Sequence, residues 1–157
     1  MALRDPTLVE EELTREIIGA FFYVYNTMNH GFLESVYARA LEDVLSRTGH
    51  FVEREVRVPV WFEKHIVGHH RLDMFVDKKV IVEIKATERL PDVAERQLRS
   101  YLRATDLDVG LILHFGLKPG VHRVRQKSMR ERLDSRGSVG SVVYPTDPED
   151  PIDPHYK

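Results

Sequence analysis

The stretch Arg71-Leu72-Asp73-Met74-Phe75-Val76-Asp77-Lys78-Lys79-Val80-Ile81-Val82-Glu83-Ile84-Lys85 decides how this chain is read. Two runs rich in Val, Ile and Phe flank a polar turn, the pattern of an antiparallel hairpin. With the hairpin centred on Lys78, Asp73 stands opposite Glu83 and Arg71 opposite Lys85. Side chains alternate along a strand, so Arg71, Asp73, Glu83 and Lys85 share one face. Leu72, Met74, Val76, Val80, Val82 and Ile84 take the other, and all are apolar. A slip of one residue would turn the carboxylates into the core, so the pattern itself pins the register.

Opposed carboxylates with Cβ atoms roughly 5 Å apart repel by about 3 kcal/mol at an effective dielectric near 20. That is large against a folding stability of about 5–15 kcal/mol. A divalent cation would offset it, and paired carboxylates are what hard ions such as Mg²⁺ or Mn²⁺ select. Lys85 then stands beside the ion, placed to orient a water or to stabilise charge developing on a phosphate. A blander arrangement pairs Asp73 with Arg71 and Glu83 with Lys85 on a solvated face. The short D…E-x-K spacing leaves both open.

Outward from the hairpin, the chain alternates between helical and extended periods. Leu13, Ile17, Ile18, Phe21, Phe22 and Tyr25 recur at helical spacing and predict a helix from Leu8 to about Met28. A second helical pattern runs from Phe32 to Arg47, its core stripe beginning at Leu33 and Val36, with Gly49 just past its end. Strands are expected at about 51–61, 66–76 and 80–86, a helix opened by Pro91 to about Ala104, and strands at Val109–Phe115 and Val121–Arg125. The order α-α-β-β-β-α-β-β implies a mixed β-sheet flanked by helices. Residues 1–144 read as one domain, with Val139–Tyr144 a candidate edge strand and Pro145–Lys157 an acidic, Pro-rich mobile tail.

On the helix after the hairpin, Gln97 and Tyr101 are four apart and project from one face, and Gln97 interrupts an otherwise apolar stripe. Glu34 stands at the start of the second helix, where a carboxylate suits the helix dipole as readily as a ligand role.

Four segments together carry a family resemblance: Gly31-Phe32-Leu33-Glu34-Ser35-Val36-Tyr37, Arg71-Leu72-Asp73, Val82-Glu83-Ile84-Lys85-Ala86 and Gln97-Leu98-Arg99-Ser100-Tyr101. In this order they resemble the GxxExxY protein family, which is grouped with PD-(D/E)XK nuclease-like proteins. The Gln-x-x-x-Tyr element and the helical Glu are similar to the RecB-like and λ-exonuclease-like branch. The resemblance covers roughly residues 12–125 and implies a restriction-endonuclease-like α/β (α+β) fold. It further implies that Asp73, Glu83 and the Ile84 backbone carbonyl ligate Mg²⁺ or Mn²⁺, helped by Glu34, with Lys85 as the catalytic lysine. Gln97 and Tyr101 would orient the site or contact a phosphate backbone, and Tyr37 would either serve the site or pack beneath it. The chain departs from the family pattern at His30 and in the glycine-free turn Asp77-Lys78-Lys79.

Composition narrows the alternatives. The chain has 157 residues, 42% hydrophobic and 31% charged, which fits a globular domain rather than a disordered segment. The longest apolar run, Ile17–Tyr25, falls short of the roughly 20 residues a membrane span needs. Glu10, Glu11 and Glu12 occupy the place of a signal-peptide core, and there is no cysteine, which together suggest a cytoplasmic location and exclude thiolate chemistry. A net charge of -2 gives no global pull on nucleic acid, so any anion site is a local patch. Arg71, Arg123 and Arg125 are candidates for such contacts, and Lys127, Arg130, Arg132 and Arg136 continue the basic run. His69 and His70 are adjacent and point to opposite faces of a strand, which argues against a shared zinc. The expectation is a Mg²⁺- or Mn²⁺-dependent nuclease that hydrolyses phosphodiester bonds in DNA by metal-activated water. The alternatives are a non-catalytic nucleic-acid- or protein-binding module of the same fold, and a scaffold that forms a homodimer through the hairpin edge.

Overall fold

A computed structural model of the chain describes residues 10–126. The start of the first helix pattern before Glu10, the basic run from Lys127 to Arg136, the strand expected at Val139–Tyr144 and the tail at 145–157 lie outside the described residues.

Two helices come first, α1 (Glu11–Met28) and α2 (Glu34–Arg47). Three strands follow, β1 (Val52–Phe62), β2 (His65–Val76) and β3 (Val80–Lys85), then α3 (Ala94–Thr105), β4 (Val109–Phe115) and β5 (Pro119–Arg125). This is the expected order. The strands form one sheet in the order β1-β2-β3-β4-β5, antiparallel except for β3 and β4, which are parallel and joined through α3. A crossover of that kind lays its helix on the sheet, so both faces of the centre are covered. Every residue of β4 is buried.

One face carries α1 and α2. Ile17, Phe21, Tyr37, Leu41 and Leu45 pack there against Met74, Val76, Val80, Val82, Ile84, Leu111 and Leu113. The other carries α3, whose Ala94, Leu98, Tyr101 and Leu102 cover Leu72, Ile81, Ile112 and Val124. Each large apolar side chain so buried contributes roughly 1.5–3 kcal/mol.

Three expectations need correction. The apolar stripe of α2 starts at Tyr37: Leu33 is 73% exposed and Val36 37%, because the helix itself begins only at Glu34. Helix α3 begins at Ala94, three residues after Pro91, with a turn between them closed by the Ala94 N–H on the Pro91 carbonyl. The third concerns the hairpin face. Leu72 packs with the α3 core, whereas Met74 two residues on packs with α1 and α2. Strict alternation forbids this. On β1 the same change occurs, since Val52 packs with the α1–α2 core and Val56 and Val58 with the α3 core.

The change of face is made at Glu55, whose backbone is left-handed (φ 53°). Glu55 and Asp73 drop out of a ladder in which Arg54↔Met74 and Val56↔Leu72 are flanking partners. Such an interruption locally turns a strand about its axis, as a β-bulge does.

Candidate active site

The expected hairpin register holds where β2 and β3 pair, with Met74↔Val82, Phe75↔Ile81 and Val76↔Val80 as partners. Beyond Met74 and Val82 the backbone ladder stops. Carboxylates replace it: the Asp73 N–H donates to Glu83 Oε1 at 3.4 Å, and the Ile84 N–H donates to Asp73 Oδ2 at 2.9 Å. The two acidic side chains thus lie between diverging strands and prop open a fork. Arg71 does not reach a position opposite Lys85; it pairs with Glu55 at 2.5 Å and is exposed.

Glu83 is only 4% exposed. Burial, and then the neighbouring Asp73 carboxylate, push its carboxyl up to about 8, with Lys85 and the Asp73 N–H pulling the other way. Lys85 Nζ lies 3.9 Å from Glu83 Oε2, at the limit of an ion pair. Both arrangements left open by the sequence are therefore half present: Glu83 has its lysine, while Asp73 has no arginine. Glu34, on the first turn of α2, faces this group. Burial and the Asp73 carboxylate raise its pKa, while Lys85 and a hydrogen bond from the Ala86 N–H oppose the rise. From α3, Tyr101 closes the other side, its hydroxyl pushed up to about 12 by burial and by the Glu83 and Asp73 carboxylates.

Five of the residues singled out in the sequence, Glu34, Asp73, Glu83, Lys85 and Tyr101, are therefore close enough to act on one another's charge. Gln97 is exposed one turn before Tyr101, and among the described residues no hydrogen bond or ion pair ties it to the carboxylates. The Ile84 side chain is buried, and its N–H already serves Asp73. Arg123 and Arg125 lie on β5, two strands away from β3, and are not brought to the fork. Tyr37 packs beneath the site. Fully buried, it stacks on Phe115 with centroids 4.0 Å apart, donates its hydroxyl to the Asn29 carbonyl and accepts the Phe32 N–H. It fastens the turn that delivers Glu34.

Two histidines were not assigned a place here from sequence. His114 is the single polar residue of β4, pairs in register with Lys85, and holds the Thr87 carbonyl through Nε2 at 2.6 Å. It anchors the loop that leaves Lys85. His70 stacks against Tyr101 with centroids 4.6 Å apart, and burial lowers its pKa. A lone histidine within an otherwise apolar strand was the available signal for His114.

In kind, the donors suit a hard divalent cation: two carboxylates at the fork and a third, Glu34, within electrostatic reach. Among the described residues, no group of three or more His, Cys, Asp or Glu is gathered closely enough to hold a metal ion. None of the described helices is long and apolar enough to cross a membrane.

No curated protein matches the chain. One solved structure, "Crystal structure of SSO0001", is similar at 17% identity with a TM-score of 0.48, over 78% of this chain and 62% of the other. The chain thus spans less than two thirds of that protein's length. The family model described as "PD-(D/E)XK nuclease superfamily" matches residues 11–124, which take in every helix and nearly all of the sheet. With a mixed five-stranded sheet flanked by helices in restriction-endonuclease-like order, the chain belongs to the PD-(D/E)XK nuclease superfamily.

Proposed function

We propose that this protein is a Mg²⁺- or Mn²⁺-dependent nuclease acting on DNA, a cytoplasmic member of the GxxExxY family in the RecB-like branch of the superfamily. The observation that carries the reading is the fork, where a buried Glu83 is held against Asp73 with Lys85 alongside. The metal-free protein relieves that repulsion by keeping a proton on Glu83, and a divalent cation would relieve it with both carboxylates ionised. Asp73, Glu83 and the Ile84 carbonyl would hold the ion, with Glu34 facing it from α2. Bound there, it would supply Lewis-acid polarisation of a phosphoryl oxygen and a water of lowered pKa.

The chain's own groups do the rest. Lys85 places an ammonium where negative charge develops on the phosphate. Tyr101 keeps its proton at any physiological pH and so donates a hydrogen bond rather than adding charge. Gln97, one turn earlier and exposed, would contact a bound strand. Burial of Glu83 keeps bulk water from its carboxyl.

Cleavage of single- and double-stranded DNA in Mg²⁺, Mn²⁺ and EDTA tests this. Lys85→Ala is expected to lower the rate by about 100-fold or more, and EDTA to abolish it. Cleavage that survives either change refutes the mechanism. The ion pair of Lys85 with the buried Glu83 favours one competing reading, a non-catalytic DNA-binding module in which the lysine serves the carboxylate. Retention of DNA without turnover in Mn²⁺ would select it. Calorimetric titration of Mn²⁺ into Asp73→Asn decides the ligand assignment, since binding equal to wild type removes it.

A further inference from the structure

The strands β1 and β2 run well past the three residue pairs that β2 shares with β3, so the hairpin projects beyond the fork as a two-stranded arm. An open groove of about 390 Å³ lies on this arm, lined by Glu55, Arg57, His69, His70 and Arg71. Arg57 and Arg71 are direct partners across the two antiparallel strands. Like charges placed so are destabilising, and only one of them is offset: Arg71 pairs with Glu55, while Arg57 forms no ion pair among the described residues. Both are exposed.

Chain position sets the groove beside the site. Arg71 precedes Asp73 by two residues, about 7 Å along a strand. His70, which also lines the groove, packs against Tyr101 of the site. Phosphates of one DNA strand follow one another at 3.4 Å along the axis. A strand seated at the fork therefore carries its next phosphates past Arg71 and Arg57.

We propose that the Arg57–Arg71 groove is a phosphate-backbone track, which grips the nucleic-acid strand on the side of the fork marked by β2. It deepens the nuclease reading and rests on it for the choice of polyanion. The contact is to phosphate and carries no base preference. Glu55 tempers it by occupying Arg71 in the free protein.

Fluorescence anisotropy with labelled single- and double-stranded oligonucleotides, in EDTA so that no strand is cut, tests the track on the full chain. Arg57→Gln is expected to weaken binding about 5-fold and to lower the slope of log Kd against log salt by about one, uniformly over sequences. Arg57→Glu should weaken it further, and Glu55→Gln should strengthen it. Circular dichroism verifies that these exposed substitutions leave the fold intact. Binding of Arg57→Glu within 2-fold of wild type at an unchanged salt slope overturns the track, as does failure of the wild type to bind either oligonucleotide. Cleavage by wild type in Mn²⁺ is measured separately. Arg57-dependent binding without cleavage sinks the nuclease reading and leaves the track; cleavage with Arg57-independent binding does the reverse.

Discussion

Replacing Glu83 by Gln should make the metal-free protein more stable while destroying its affinity for the cation. Raising a carboxyl from 4.5 to about 8 means about 3.5 pH units, or about 5 kcal/mol held against the ionised form. The sign follows from linkage. The folded pKa lies above the unfolded one, so Glu83 costs nothing below pH 4.5. The penalty grows as pH rises and is complete above about pH 8. At pH 7.5 it amounts to about 4 kcal/mol. The amide keeps the oxygen that accepts the Asp73 N–H and adds an N–H to give to the Asp73 carboxylate. It loses only the long contact to Lys85 at 3.9 Å. A net gain of about 3 kcal/mol raises Tm by about 6–12 °C in a chain of this size. Thermal unfolding by calorimetry in EDTA, between pH 5 and 8.5, reads both effects. Wild-type Tm should fall across this range relative to the variant. Saturating Mn²⁺ at about 100 times Kd should return about 2.7 kcal/mol to wild type alone. A Glu83→Gln protein no more stable than wild type at pH 7.5, with parallel pH profiles, would refute the account of the fork as a strained carboxylate pair.

A clamp elsewhere titrates with the opposite character. His50 Nδ1 meets Asp77 Oδ2 at 2.8 Å and its Nε2 meets Glu16 Oε2 at 2.5 Å, tying α1 to the β2–β3 turn. Burial favours neutral His50, but these carboxylates outweigh it and raise its pKa, while Asp77, despite burial, is lowered by His50 and the Phe51 N–H. The clamp is therefore complete between about pH 4 and pH 6.5, weakening above as His50 deprotonates and below as Asp77 protonates. His50→Ala should cost roughly 1–2 kcal/mol in urea unfolding at pH 5.5 and clearly less at pH 9. Tyr37→Phe removes a buried hydroxyl bonded to Asn29 and Phe32 and should cost about 1–3 kcal/mol, with cleavage reduced through a loosened Glu34 turn. Gly116→Ala would bring its Cβ to 2.7 Å from the His114 ring and 3.2 Å from the Glu88 carbonyl. About 1–3 kcal/mol of destabilisation is expected in the same urea experiment, and a neutral outcome would show that His114 is free to move.

The hairpin was legible because the polar turn Asp77-Lys78-Lys79 separates two apolar runs, and centring on it gives the pairing of Met74–Val76 with Val80–Val82. Its extension to Arg71 and Leu72 failed for a physical reason. A left-handed glutamate at Glu55 carries no sequence mark, since glycine is the usual sign of that conformation. The same blindness applies to the turn, where Asp77 and Lys78 both take positive φ. Asp77 is held there by the Phe51 N–H and His50, partners distant in sequence. Ile81 and Phe75, by alternation companions of the charged residues, join the core because α3 covers that face, a long-range contact that hairpin spacing does not report. Tyr37 was readable as either site or packing; only the stack on Phe115 distinguishes them. The convergence of Glu34 with Asp73 and Lys85 rests on long-range packing of α2, which periodicity does not report.

The crossing-over of faces at Glu55 and Asp73 has a mechanical consequence. On the near side, the hairpin is welded to a sheet with helices above and below. On the far side, Val56, Val58 and Leu72 still rest on α3, but Phe62 and Val67 at the tip are 62% and 49% exposed. The outer segment is thus held by its own cross-strand pairing alone, and two isolated strands are marginal in water. Amide protons there should exchange through local opening far faster than those of Val80–Ile84. The outer end can bend or be remodelled by a ligand at little energetic expense to the rest of the molecule.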